Sequence, residues 1–194
     1  MNACKDPRAG EVLRFWFGGA NEYGARRKCW FEKSDAFDAE VRDRFASLHA
    51  QAAAGNCENW KERAAECLAY VIVLDQFPRN MCRGTARAFA SDALALAAAK
   101  EAVGRGFDRA MQPVERLFLY LPFEHSEQLG DQLLACERIE PLAAFAATED
   151  AHRYAVRHCD VIRRFGRFPH RNALLGREST AAEIEFLKEP ASSF

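Results

Sequence analysis

The 194-residue sequence predicts an all-α fold of antiparallel helical hairpins, about eight or nine helices and no sheet. Three observations lead there. No segment alternates apolar and polar residues with the β-branched enrichment of a half-buried strand. Phe37, Val41, Phe45 and Leu48 recur at helical spacing. Seven consecutive apolar residues, Leu68 to Leu74, run into Asp75 and then Phe77-Pro78. A helix apolar on every side belongs inside a bundle rather than on its surface. Val71-Ile72-Val73, the one β-like triplet, sits within that helical context.

Taken in order, Pro7 opens a helix carrying Val12, Leu13, Phe15, Trp16 and Phe17, stopped at Gly18-Gly19. Ser34 or Asp35 caps the Phe37 stripe and Gly55 ends it. Asn59 opens the central helix. Pro78 should clash with the carbonyl four residues earlier and end that helix near Phe77, leaving 79–90 irregular. Ser91 caps an Ala/Leu-rich helix, with Asp92 in its first turn, that runs to Gly104–Gly106. Pro113 starts a helix that Pro122 closes after Leu121. Ser126 caps a helix from Glu127 towards Phe145, with a kink or break at Pro141. A helix from Glu149 to Phe165 ends at Gly166. Thr180 and Glu183 form a capping box for a last helix that buries Ile184 and Leu187. Residues 1–194 read as one domain, with frayed ends over 1–6 and 190–194.

A formal net charge of −1, from 27 basic and 28 acidic residues, excludes a general nucleic-acid or membrane-surface binder. No apolar run approaches the ~18 residues a membrane span needs. The segment around Lys5 and Arg8 lacks the apolar centre of a secretory signal. The seven cysteines are odd in number and form no C-x-x-C pair. Reduced thiols in a cytoplasmic protein are the expectation. His49 and His152 fall on polar helix faces and read as solvated.

Ionisable residues gather at three helix exits. The first holds Asp75, Arg79, Arg83 and Arg87; the second Glu124, His125 and Glu127; the third His158, Arg163, Arg164, Arg167, His170, Arg171 and Asn172. Each is interleaved with aromatic residues, and charges so placed must be paired or hydrogen-bonded where they are buried. One reading is structural, with Asp75, Glu124 and Glu127 joined to arginines whose planar forks tie hairpins together. A second is a binding module. Arg79, Arg167 and Arg171 would clamp the oxygens of an anionic small molecule or peptide carboxylate, with His170 and Asn172 donating hydrogen bonds. A third is acid–base chemistry by Glu124 with His125, His158 or His170. No H-x-x-x-H or H-E-x-x-H spacing occurs, so no metal site and no cofactor are expected. A homodimer is left open.

Three pieces carry a family resemblance: Asp75-Gln76-Phe77-Pro78-Arg79-Asn80, Leu121-Pro122-Phe123-Glu124-His125-Ser126-Glu127 and Gly166-Arg167-Phe168-Pro169-His170-Arg171-Asn172. With Val12 to Gly18 and Trp30-Phe31, they resemble the bacterial domain-of-unknown-function family 924 from Val12 to Leu187. The resemblance implies an all-helical, tetratricopeptide-like fold. It implies no activity, cofactor or partner. Cys82 stands where a larger apolar residue is expected, and Pro141 where a helix should continue.

Overall fold

The computed structural model describes residues 4–190 and 192. The chain is all-α: among those residues there are eight α-helices, several short 3-10 turns and no strand. The first helix, α1 (Pro7–Phe17), starts where Asp6 accepts the Arg8 N–H, and it buries Val12, Leu13, Trp16 and Phe17. Residues 4–6 are anchored rather than frayed. The Lys5 and Asp6 N–H groups donate to the buried Glu66 carboxylate at 2.6 and 3.1 Å. The remaining expected fraying, at 1–3, 191, 193 and 194, lies outside the described residues.

Ser34 caps α2 (Asp35–Ala53), which turns Val41, Phe45 and Leu48 inward. The central helix α3 (Ala64–Met81) begins later than Asn59, which lies in a 3-10 turn over Glu58–Glu62. It packs against α1, α2, α4 (Asp92–Gly104) and α5 (Pro113–Glu124). Every residue from Glu66 to Pro78 is buried. Burying each of its large apolar side chains is worth roughly 1.5–3 kcal/mol. The small residues Ala95, Ala98, Ala99 and Ala102 form the buried face of α4.

Pro78 does not end α3. The helix runs one turn further, to Met81, with the proline inside it. Proline supplies no N–H to the Leu74 carbonyl. The Ser91 hydroxyl supplies the missing donor, at 2.7 Å. Ser91 therefore stands at the N-cap position of α4 without capping it through its side chain. His49 Nε2 lies 3.1 Å from the same Ser91 Oγ, so His49 is a partner in this bond rather than a solvated residue. Replacing Ser91 by Ala should cost about 1–3 kcal/mol, because it strands a buried carbonyl. The cost should shrink in a Pro78→Ala background, where residue 78 regains an N–H aimed at Leu74. Urea unfolding of the two single variants and the double variant checks this, and equal Ser91→Ala costs in both backgrounds would refute it.

Pro122 is also carried inside its helix, and α5 reaches Glu124. The helix expected from Glu127 is shorter: α6 runs Leu129–Ile139, and a 3-10 turn that includes Pro141 follows it. Next comes α7 (Ala151–Phe165), which ends at Gly166 in the left-handed region at φ 69°. The capping box opens α8 (Ala181–Phe186) as expected. Its inward residues, however, are Glu183 and Phe186, while Ile184 and Leu187 are exposed. Among the described residues no helix is long and apolar enough to cross a membrane.

Candidate functional site

Because α3 continues through Pro78, Asp75 and Arg79 lie one turn apart on the same helix face. Asp75 is wholly buried. One oxygen, Oδ1, lies 2.8 Å from His125 Nδ1 and 3.4 Å from Arg79 Nη1. The other accepts from Gln76 Nε2 at 2.6 Å. Burial alone would raise this carboxyl's pKa. The Arg79 charge and the His125 contact outweigh burial and hold it below the usual carboxylate range. Arg79 also donates to the Asp75 carbonyl at 2.6 Å and makes a two-pronged bond to Asp92, the first residue of α4, at 2.9 and 3.0 Å.

His125 caps the C-terminal end of α5. An ionised carboxylate only accepts, so the proton of neutral His125 sits on Nδ1 and the lone pair on Nε2. Burial and the Arg79 charge lower its pKa, against the opposing pull of Asp75, so it is neutral at pH 7. The His125 side chain keeps 14% of its surface exposed. Nε2 has no hydrogen-bond partner among the described residues.

Glu124, the last residue of α5, is nearly sealed, and among the described residues no arginine pairs with it. Burial, reinforced by the neighbouring Asp75 charge, pushes its pKa up to about 8. It is therefore a carboxylic acid at neutral pH. Its Oε1 lies 3.0 Å from His158 Nδ1, which also faces the Tyr154 carbonyl at 2.9 Å. Burial drives His158 down to about 3. This contact thus joins two neutral groups and is not an ion pair. The His158 ring is 6.4 Å from that of His125 and edge-on to Phe168 at 5.6 Å. His170 follows across Phe168, at 5.6 Å between ring centres, and burial and Arg171 lower its pKa to about 4.

The 3-10 turn Pro169–Arg171 brings Arg171 to the same place. Its guanidinium lies between Phe89 and Phe168, at 4.6 and 4.5 Å from the ring centres. Its Nη1 is 3.4 Å from Asp92 Oδ2. The structure therefore gathers Asp75, Arg79, Glu124, His125, His158, His170 and Arg171.

Four sequence candidates stand apart in function. Arg83 pairs with Asp38 of α2 at 2.8 and 3.0 Å, beside Asn80. Arg167 is taken by Glu183 at 2.6 and 2.8 Å and by the Glu178 carbonyl. Glu127 accepts two bonds from Arg177 and one from the Phe168 N–H. Asn172 donates to Ser179. The expected three-arginine clamp is therefore not formed, because carboxylates of the chain already fill Arg79 and Arg167.

Asp92, Ser91, Arg177 and Glu183 were not among the candidates. In sequence Asp92 is an ordinary first-turn acid, and no local signal marks it as the partner of Arg79 and Arg171. Gln132 was missed too; its amide ties the exit of α5 to α6 by donating to the Glu124 and Ser126 carbonyls, each at 2.6 Å. Among the described residues no three of His, Cys, Asp and Glu are grouped to hold a metal ion.

A family model described as a bacterial protein of unknown function, DUF924, matches residues 12–191. The fold is similar to the solved structure of a protein of unknown function, ATU0120, from Agrobacterium tumefaciens. The two share 40% sequence identity with a TM-score of 0.82, over 94% of this chain and 97% of that one. No curated protein matches the chain.

Proposed function

Since the chain belongs to the bacterial family of unknown function DUF924, which brings no reaction with it, we propose from the site's geometry that it is an acid–base centre acting on a small polar molecule. What supports this reading above all is the Asp75–His125 pair. A fully buried carboxylate holds Nδ1–H of a partly exposed ring at 2.8 Å and leaves Nε2 as the base. In this role Asp75 fixes the tautomer and steadies the imidazolium that forms when Nε2 takes a proton. Arg79, saturated by Asp75 and Asp92, keeps Asp75 ionised. Glu124 is a carboxylic acid kept neutral by its surroundings, the state a proton donor needs. The seven free cysteines favour a reducing compartment, the cytoplasm, as its place of work.

Diethyl pyrocarbonate tests the base directly, because it acylates accessible neutral imidazoles. At pH 7, peptide mapping should show His125 modified well ahead of buried His158. Panels of small esters, amides and phosphoesters should then contain a reaction that His125→Gln slows about 10²- to 10⁴-fold, the usual range for a lost general base. A His125 as protected as His158, with no such turnover, would remove the reading.

A further inference from the structure

Arg171 is the cation of this site that the acid–base reading leaves unused. Only 8% of its side chain is exposed. Its guanidinium has five N–H donors in a rigid fork. One of them, on Nη1, meets an acceptor, at the long distance of 3.4 Å. That acceptor, Asp92, already takes two shorter bonds from Arg79 at 2.9 and 3.0 Å. Arg171 Nε is buried with no hydrogen-bond partner.

Several neighbouring arginines are paired more fully, although the buried Arg177 Nε also lacks a hydrogen-bond partner. Arg79, Arg83, Arg167 and Arg177 each hold a carboxylate through two nitrogens, at 3.1 Å or less. Leaving charged donors unsatisfied in a buried place is costly. The two phenyl faces, Phe89 and Phe168, fix the guanidinium plane but offer no lone pair along its edge. A planar fork held in place with empty donors matches a planar or tetrahedral oxyanion. The same Asp92 that touches Arg171 leads through Arg79 and Asp75 to His125.

We infer that Arg171 is the oxyanion-recognising residue of the site, taking the carboxylate or phosphate group of a small anionic substrate and holding it beside His125. This rests on the acid–base reading of His125 and names the class of molecule on which it acts.

The probes are inorganic phosphate and acetate, added in separate arms at constant pH and ionic strength. The readouts are the Arg171 Nε–H signal in a nitrogen–proton correlation spectrum and the carbethoxylation rate of His125. In the wild-type protein at least one probe should move the Arg171 signal saturably. At about ten times its Kd, that probe should slow His125 modification about tenfold, because the rate follows the unliganded fraction. The arm that responds separates a phosphate from a carboxylate substrate. Arg171→Lys identifies the signal, and Arg171→Met should abolish the protection while Arg109→Met, at an exposed position, preserves it. Should Arg171→Met fail to fold, the wild-type titration decides alone. No saturable shift in either arm overturns the inference and leaves the His125 reading standing. A saturable shift with an unreactive His125 also overturns it, since the anion would then bind where no base acts.

Discussion

Replacing Arg79 by Met should destabilise the protein by about 3–5 kcal/mol, the cost of removing one partner from a buried ion pair. For a chain of this size that corresponds to a fall in Tm of roughly 6–20 °C. Arg79 holds the Asp75 carbonyl, the Asp75 carboxylate and both oxygens of Asp92. Its loss leaves Asp75 charged and fully buried with only His125 and Gln76 to face. Burial then prevails over the remaining partners and raises the Asp75 pKa. The unfolded carboxyl ionises first, so the penalty grows as pH rises above the normal Asp range. The deficit should therefore be larger at pH 7 than at pH 4.5. Arg79→Lys should recover only part of it, because an ammonium cannot reproduce the two-pronged bond to Asp92. Arg83→Met is the contrast. Its side chain is 42% exposed and Asn80 still serves Asp38, so the cost should stay near 1 kcal/mol or below. Urea unfolding of the three variants at both pH values measures all of this. Equal losses for Arg79→Met and Arg83→Met would show that the buried position of the pair does not matter.

Local signals in the sequence mark most helix starts and several ends. Pro7, the Ser34 cap, Pro113, Gly166 and the Thr180–Glu183 box all act where the residue types place them. The two ends set by proline fail for a non-local reason. A proline near the last turn removes one donor, and at Pro78 the replacement comes from Ser91, which no window around residue 78 contains. The register of α8 is also decided from outside the helix. Arg167 draws Glu183 inward, Phe186 follows three residues on, and Ile184 and Leu187 are turned to solvent. In the site, Asp75, Arg79, Glu124, His125 and Arg171 were legible as charges embedded among aromatic residues. Partner choice was not. Nothing near Arg167 in sequence distinguishes an arginine filled by Glu183 from one left short of acceptors, as Arg171 is. Nor did the resemblance to the family supply a role, since it marks the same three exits without a reaction.

Stability of the wild-type protein should pass through a maximum near pH 7 and decline on both sides, with Glu124 responsible for the alkaline fall. In the fold its pKa lies near 8, well above the value of about 4.3 for an unperturbed glutamate. A carboxyl raised in this way favours the folded state fully below its unfolded pKa, and that contribution is lost as pH climbs to the folded one. The histidines act in the opposite sense. His158 and His170 are depressed to about 3 and about 4, and His125 and His49 are also lowered. Their contribution is complete above the unfolded pKa of about 6.5 and is lost as pH falls. Between pH 4.5 and 6.5 His158 and His170 alone outnumber the one glutamate, and His125 and His49 act with them, so stability rises with pH. Above pH 7 the histidines are almost fully titrated and Glu124 predominates, and the last of the histidine titration offsets part of its fall, for a net loss of roughly 0.5 kcal/mol by pH 8. Glu124→Gln has nearly the same shape and cannot ionise. It should remove the decline above pH 7 and equal or exceed the wild type at pH 8, while keeping the acid limb set by the histidines. Urea midpoints at pH 5, 7 and 8 for the two proteins decide it. An alkaline decline that persists unchanged in Glu124→Gln would mean that the Glu124 carboxyl is already ionised at neutral pH. With that, the neutral proton donor beside His158 would disappear from the proposed site.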